Sequence, residues 1–302
     1  MLETKQLRIF KTIVDVGSFT RAGEHLGLSQ SAVSQQVRGL EDAVGVPLLL
    51  RAGKGTRPTH AGELLLHCAR QVLAKLDEVE RLLGEQGEGH TGALRVCAPE
   101  PACAYLMPPV LATLRTRFPR IEVRVANAHP EATLARLAAA DVDVGLVPMS
   151  VEPERVRVLQ IGRDELVAIV PRDHPWAGRR CVTTRDFEDE PLVLYDRQSP
   201  ITTLTLEWLL ADGVFPRVAL EIEQLEGLKR AVRAGIGVAV VPAWSVGAEV
   251  AAGELTALGL GDVGLSRAWA IVYVDSQPQP ATLRAFVQVC AEVLPPVLSG
   301  LR

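Results

Sequence analysis

The chain has 302 residues, 48% of them hydrophobic and 23% charged, with a formal net charge of −4 at pH 7. That length suits two or three domains, and the apolar content excludes a chain too polar to fold. The charge is uneven: residues 1–60 hold eight Lys or Arg against five Asp or Glu, a local +3 that leaves −7 for the rest, so a nucleic-acid partner is open to the N-terminal module alone.

In chain order, residues 5–16 place Leu7, Phe10 and Val14 on one helical face, and Gly17-Ser18 break and recap the chain. A second short helix spans Phe19–Leu26, with Phe19, Ala22 and Leu26 facing inward, and Gly27 suits a left-handed C-cap. Ser29 reads as an N-cap, so a third helix starts near Gln30. In the stretch SQSAVSQQVRGLE, residues 29–41, the apolar stripe is Val33, Val37 and Leu40, continued one turn on by Val44. Ser31, Ser34, Gln35 and Arg38 fall on the opposite face. Two short helices joined by a tight Gly-containing turn form a helix-turn-helix whose second helix fits the major groove of DNA. There Gln pairs with adenine, Arg pairs with guanine, and small serines allow close approach to phosphate. Gln30, Ser31, Ser34, Gln35 and Arg38 are the expected readers. The run Val46–Leu50 then leads into a glycine-rich hairpin tip carrying Arg51, Lys54 and Arg57, which is what a DNA-binding wing needs. The plain alternative is a solvated helix and hairpin.

At this point the chain resembles the LysR-type transcriptional regulators. The resemblance runs from Leu7 to Gly62: L-x-x-F at 7–10, G-S-F-T at 17–20, L-S-Q-S-A-V-S-Q-Q-V at 28–37, L-E at 40–41, G-V-P-L at 45–48, Arg51, and T-H-A-G at 59–62. It departs from the family at Leu49, where Phe is usual, at Gly23, where Ala is usual, and at Pro58, where Leu is common. The first two changes put stability in question rather than DNA binding.

Residues 60–87 read as one long helix in which Leu65, Cys68, Val72, Leu76, Val79 and Leu83 recur at threes and fours between charged flanks, as a dimerisation helix requires. Residues 84–92 read as a hinge. Eight short apolar runs follow, at 94–98, 121–125, 142–147, 166–170, 192–195, 218–222, 237–241 and 269–274. Between them lie helical stretches at 104–117, 130–140, 200–212, 224–234, 243–252 and 279–294, an alternation that predicts mainly parallel sheets. The fold expected is an all-α winged helix-turn-helix N-terminal domain (1–60) with a long linker helix and hinge (61–91), followed by an α/β effector domain (92–302). The resemblance implies that the effector domain is of the type 2 periplasmic-binding-protein-like kind, with two Rossmann-like subdomains, one of residues 92–163 and 268–302 and one of residues 164–267.

Ligands of open α/β sheets bind beyond the carboxyl ends of the strands. That rule selects the loops carrying Glu100, Pro101, Ala102 and Cys103; His129; Ser199, Ile201, Thr202 and Thr203; and Glu223 and Gln224. Each loop taken singly reads equally well as a helix cap; their convergence on one effector rests on the resemblance. Ser199 as N-cap and Pro200 at N1 gather free amides and two threonine hydroxyls, which suits an anion. Glu100 stands where the family usually has a small hydroxyl residue, and with His129 and Glu223 it points to an effector that bears an amine or several hydroxyls beside its anionic group.

The six histidines show no H-E-x-x-H spacing, and there is no Gly-x-Ser-x-Gly elbow or Gly-rich phosphate loop, so no enzyme, cofactor or metal is expected. No uninterrupted apolar run reaches the roughly 18–20 residues of a membrane span, and no signal-peptide core opens the chain, so a cytoplasmic protein without a membrane partner is expected. The five cysteines read as plain thiols. The expected partners are double-stranded DNA, a small-molecule effector, a second copy or three more in a homodimer or homotetramer, and RNA polymerase if the protein activates. Two alternatives stand beside this reading: a small-molecule binding protein that uses its N-terminal module only to dimerise, and a cysteine-based redox sensor.

Overall fold

The computed structural model describes residues 2–52, 55–84, 91–149, 156–275 and 279–300. The chain divides into two compact units, one running to residue 88 and a second holding most of the remainder.

The first unit contains α1 (Thr4–Val16), α2 (Phe19–Leu26), α3 (Gln30–Val44), the antiparallel hairpin β1 (Leu49–Ala52) and β2 (Gly55–Pro58), and α4 (His60–Gly84). Ser18 and Ser29 cap α2 and α3 through their hydroxyls, and Gly27 ends α2 with φ +65°. Helix α1 is buried on two faces. Ile9 and Ile13 pack with Ala22, Val33 and Val37, while Leu7 and Phe10 pack with Leu40, Leu48, Leu66, Ala69 and Leu73. A one-face reading therefore missed Ile9 and Ile13, and Val14 is only partly buried. Val44 is exposed, so the α3 stripe ends at Leu40.

The quoted motif residues have structural work to do. Glu41 accepts hydrogen bonds from the backbone N–H groups of Leu48 (2.7 Å) and Leu49 (3.3 Å), fixing the approach to β1. Thr59 caps α4 by accepting from the Gly62 N–H at 3.0 Å while donating to the Pro47 carbonyl at 2.8 Å. A Cβ on Gly62 would lie 2.1 Å from the Leu48 carbonyl oxygen, so only glycine fits beneath the hairpin. Gly23 is likewise no loss: a Cβ there would lie 2.6 Å from the Leu28 oxygen. Leu49 is partly buried between both helical cores.

Along α4 the buried stripe is Leu66, Ala69 and Leu73, which differs from the expected one. Leu64, Cys68, Val72, Leu76 and Val79 are exposed, and Leu65 is partly buried. The heptad-like spacing thus belongs to two stripes, one holding the helix to its own module and one left over.

The second unit comprises β3 (Gly92–Ala98), α5 (Glu100–Tyr105), α6 (Met107–Arg117), β4 (Ile121–Asn127), α7 (Pro130–Ala138), β5 (Val144–Pro148), β6 (Val156–Pro171), β7 (Cys181–Val182) and β8 (Pro191–Tyr195). It continues with α8 (Pro200–Ala211), β9 (Arg217–Ile222), α9 (Leu225–Arg233), β10 (Ala239–Pro242), α10 (Gly247–Ala251), β11 (Leu255–Leu260), β12 (Leu265–Val274) and α11 (Ala281–Leu298). The main sheet runs β4-β3-β5-β12-β6-β11-β7, with β10 also on β6. Strands β6 and β12 pair antiparallel from Val156↔Val274 to Leu166↔Leu265 and join two halves. At one end they continue the β3–β5 sheet, whose core includes Val96, Leu114, Ile271 and Phe286. At the other end β6 carries β10 and β11, around a core that includes Ile169, Phe187, Leu194 and Val241.

The sheets are mixed rather than mainly parallel. Pairs β3–β4, β3–β5, β8–β9 and β7–β11 are parallel, but every pair made by β6 or β12 is antiparallel. The chain crosses between the halves twice, and the crossing strands run against their neighbours. The first half of β6 escaped the sequence reading because VRVLQIGRDE is half polar, and β11 because LTALGL is weak in strand formers. The stretch 104–117 forms two helices, α5 beginning earlier than expected at Glu100. Helix α11 has the length of a membrane span and a mean hydropathy of 1.3, yet half of it is buried, with Phe286, Val289 and Cys290 in the core.

Candidate functional site

Two surfaces carry the chemistry, one in each unit. On the first, Gln30, Ser31, Gln35 and Arg38 project from the exposed face of α3. Ser34 does not join them. It is 7% exposed, and its hydroxyl receives a hydrogen bond from the Gln30 amide at 3.0 Å, so it braces Gln30 instead. The Ser29 and Ser31 hydroxyls lie 2.9 Å apart. Thr56 in β2 donates its backbone N–H to the Gly17 carbonyl at 3.0 Å, tying the hairpin to the turn between α1 and α2. The result is an open concavity of about 490 Å³ lined by Gly17, Ser18, Phe19, Arg21, Gln30, Gly55 and Thr56. Arg57 is exposed on β2. The Arg51 side chain and Lys54 lie outside the described residues. Sequence reasoning missed Arg21, whose signal is its place in the first turn after the Ser18 cap. This surface offers amide and guanidinium donors on a helix beside a narrow hairpin.

The second surface is a cavity of about 410 Å³ where β3, β4, β8 and β9 end. Of the residues expected there, Glu100, Pro101, His129, Ser199, Ile201, Glu223 and Gln224 line it. Ala102, Cys103, Thr202 and Thr203 do not. They sit on helices, with Ala102 and Thr202 fully buried. The two threonine hydroxyls turn back on the chain, Thr202 donating to the Tyr195 carbonyl at 2.8 Å and Thr203 to the Ser199 carbonyl at 3.4 Å. The Ser199 hydroxyl is itself taken by the Ile201 N–H at 3.2 Å. The hydroxyl-rich anion cradle expected at the start of α8 is thus not formed.

Missing from the expected set were Arg136, Tyr195, Asp196, Trp244, Arg267 and Trp269, all of which line the cavity. Tyr195 donates its hydroxyl to Glu100 at 3.1 Å. Burial, then the neighbouring Glu100 carboxylate, push the Tyr195 phenol above its usual range, so it stays a proton donor. His129 Nε2 lies 3.1 Å from Asp196. Arg267 is committed to Asp164, both side chains being buried, and Trp244 donates its indole N–H to the same carboxylate at 3.0 Å. Trp269 stands edge-on to Trp244, with centroids 6.2 Å apart, and the Arg267 guanidinium lies 5.5 Å from the Trp269 ring centre. The Trp269 indole N–H is buried with no acceptor among the described residues.

A buried ionic network lies at the far end of α5. Lys229 Nζ is 2.6 Å from Glu249, 2.7 Å from Glu226 and 3.0 Å from the Ser245 carbonyl, and it also donates to the Tyr105 hydroxyl. Among the described residues no group of three or more His, Cys, Asp or Glu could hold a metal ion.

Comparison with known proteins assigns the architecture. Residues 4–63 match the "bacterial regulatory helix-turn-helix protein, lysR family" and residues 87–295 the "LysR substrate binding domain". The chain belongs to the LysR family of DNA-binding transcriptional regulators. Similar proteins include the RuBisCO operon transcriptional regulator of Allochromatium vinosum, 31% identical over 94% of each chain. Another is the probable regulator LrrA of Synechococcus elongatus, 31% identical over 97% of each. Among solved structures, full-length OxyR from Pseudomonas aeruginosa superposes with a TM-score of 0.78 at 22% identity, covering 96% of this chain and 95% of that one. The DNA complex of CbnR gives 0.69 at 21%, covering 97% and 100%. These likenesses establish the fold of this LysR-family regulator.

Proposed function

We propose that this LysR-family regulator recognises a partly palindromic promoter site as a symmetric oligomer and answers to a small molecule bound in the cavity of its second unit. The observation that carries the reading is the cavity itself: about 410 Å³, at the carboxyl ends of four strands, walled by residues from both halves that β6 and β12 join. A ligand there makes different contacts in different arrangements of the halves and so biases one of them. That bias alters how paired winged modules are spaced and how sharply the DNA bends. The exposed stripe of Leu64, Cys68, Val72, Leu76 and Val79 on α4 supports dimerisation, and two-fold symmetry in the protein accounts for palindromy in the site. Gln30, Ser31, Gln35 and Arg38 read bases, while Arg51, Lys54 and Arg57 hold phosphate.

A mobility-shift assay on the promoter region beside the protein's own gene tests the reading. Wild type shifts it with an affinity that falls steeply with salt. Gln35→Ala relaxes preference at one base pair by about 1–3 kcal/mol, whereas Arg57→Ala weakens all sites about equally. No salt-dependent shift of that promoter region would leave the N-terminal module a dimerisation device only.

A further inference from the structure

The charges lining the cavity do not cancel within it. Of its basic side chains, Arg267 is held by Asp164, which lies behind it at 0% exposure, and His129 is beside Asp196. Arg136 is exposed, and the hydrogen bond its guanidinium makes runs to the Cys97 sulfur at 3.9 Å. Glu100 is half-buried in the first turn of α5 and is approached by the neutral Tyr195 hydroxyl, which orients the carboxylate without offsetting its charge. Glu223, on the same cavity wall, is exposed. A fixed, partly desolvated carboxylate gains from a cation brought by a ligand, through a charge-assisted hydrogen bond of the stronger class. The rings of Tyr195, Trp244 and Trp269 line the same space, and aromatic faces attract an ammonium group.

One further group is left over. Among the described residues, the indole N–H of Trp269, 2% exposed, has no acceptor. Buried donors are rarely left in that state, because each then bears the full cost of losing its hydration. A ligand oxygen beside the indole would satisfy it, and the exposed Arg136 guanidinium can donate to the same carboxylate.

We propose that the ligand of this cavity is a small zwitterion of the amino-acid type, its ammonium group held by Glu100 and its carboxylate directed to Trp269 and Arg136. The proposal rests on the cavity being the regulatory site and adds the chemical class of the ligand. It excludes a phosphorylated sugar acid, whose several negative charges would face Glu100 and Glu223 with only Arg136 uncommitted.

The test uses the full-length protein in thermal-shift and calorimetric titrations. The probes are the proteinogenic amino acids with ornithine, the 2-oxo acid corresponding to each, and 3-phosphoglycerate. At least one amino acid is expected to bind and its 2-oxo acid to bind at least tenfold more weakly. Glu100→Gln, which keeps the shape and the Tyr195 hydrogen bond, lowers affinity for that amino acid at least tenfold and narrows the gap to its 2-oxo acid. Glu223→Gln changes affinity less than Glu100→Gln does. If no amino acid binds, if the 2-oxo acids or 3-phosphoglycerate bind best, or if Glu100→Gln leaves affinity unchanged, the proposal is overturned. Failure of the regulatory reading shows separately, as an amino acid that binds yet leaves the promoter shift unchanged.

Discussion

Asp164 and Arg267 face each other in register where β6 and β12 cross between the two halves. Their side chains are 0% and 5% exposed; Arg267 donates through Nε at 3.1 Å and through a terminal nitrogen, and Trp244 donates to the same carboxylate. Asp164→Ala leaves a buried guanidinium and an indole N–H without their acceptor. Breaking a buried ion pair on one side costs about 3–5 kcal/mol. With a urea dependence of about 2–3 kcal/mol per molar, the unfolding midpoint drops by roughly 1–2 M. All four tryptophans, Trp176, Trp208, Trp244 and Trp269, belong to the second unit, so intrinsic fluorescence of the full-length protein follows that unit alone. Removing both charges, with Asp164→Leu and Arg267→Met together, recovers most of the loss, because the penalty comes from a charge left unpaired rather than from the absence of the pair. A midpoint change under about 0.3 M for Asp164→Ala would refute the reasoning, as would a double variant no more stable than the single one.

The Arg179 guanidinium, bonded to both Asp186 oxygens at 2.8 Å, holds that carboxyl down at about 2 against an ordinary 3.8. Its folded value lies below its unfolded one, so its stabilisation is whole above pH 3.8 and is lost as the pH falls through about 2. The wild-type melting temperature therefore falls more steeply across that window than that of Asp186→Asn, and parallel curves would remove Asp186 from the acid response. Burial, then Cys97 and Glu100, push the Cys103 thiol up to about 11. At pH 7.5 N-ethylmaleimide should leave it unmodified in the native protein for the time that labels it fully in urea, and rapid native labelling, read by mass spectrometry, would favour the redox-sensing alternative. On α4, Val72→Glu with Leu76→Glu should separate the oligomer in sedimentation without lowering stability, whereas Leu73→Ala, at a buried position, should cost about 2–5 kcal/mol. An oligomer that survives the glutamates would place its interface elsewhere.

The N-terminal module was legible because its signals are local. Ser18, Ser29 and Gly27 sit at helix ends, and Thr59 and Gly62 solve one close approach within a few residues of each other. Ser34 was misplaced because it lies about 100° round the helix from Val33, at the border of the apolar stripe rather than opposite it, and nothing in its spacing shows that α3 is buried over more than a narrow stripe. The cavity was half legible for a related reason. Residues just past a strand end, such as Glu100, His129 and Glu223, follow from the carboxyl-end rule. Arg267 and Trp269 lie inside β12, and Trp244 follows β10, so their presence depends on two strands crossing between the halves in reverse. That crossing is a long-range pairing, and no periodicity records it.

Helix α5 joins the two kinds of information. Glu100 at its first residue meets Tyr195, and Tyr105 at its last reaches the Lys229 network, so one short helix from the first half is tied at both ends to the second. Six residues rise only about 8–9 Å, too little to absorb a displacement by bending. Lys229 is 3% exposed and is held by Glu226, Glu249 and the Ser245 carbonyl, so the far tie is seated on a fixed group, and freeing it costs the Tyr105 hydroxyl its buried partner. A ligand that engages Glu100 beside Tyr195 therefore acts on a rigid strap whose other end is anchored. What it gains at Glu100 must be set against what the strap resists at Tyr105. On the proposed reading, occupancy of the cavity and the arrangement of the halves are then two readings of one equilibrium, which is the property a ligand-controlled regulator needs.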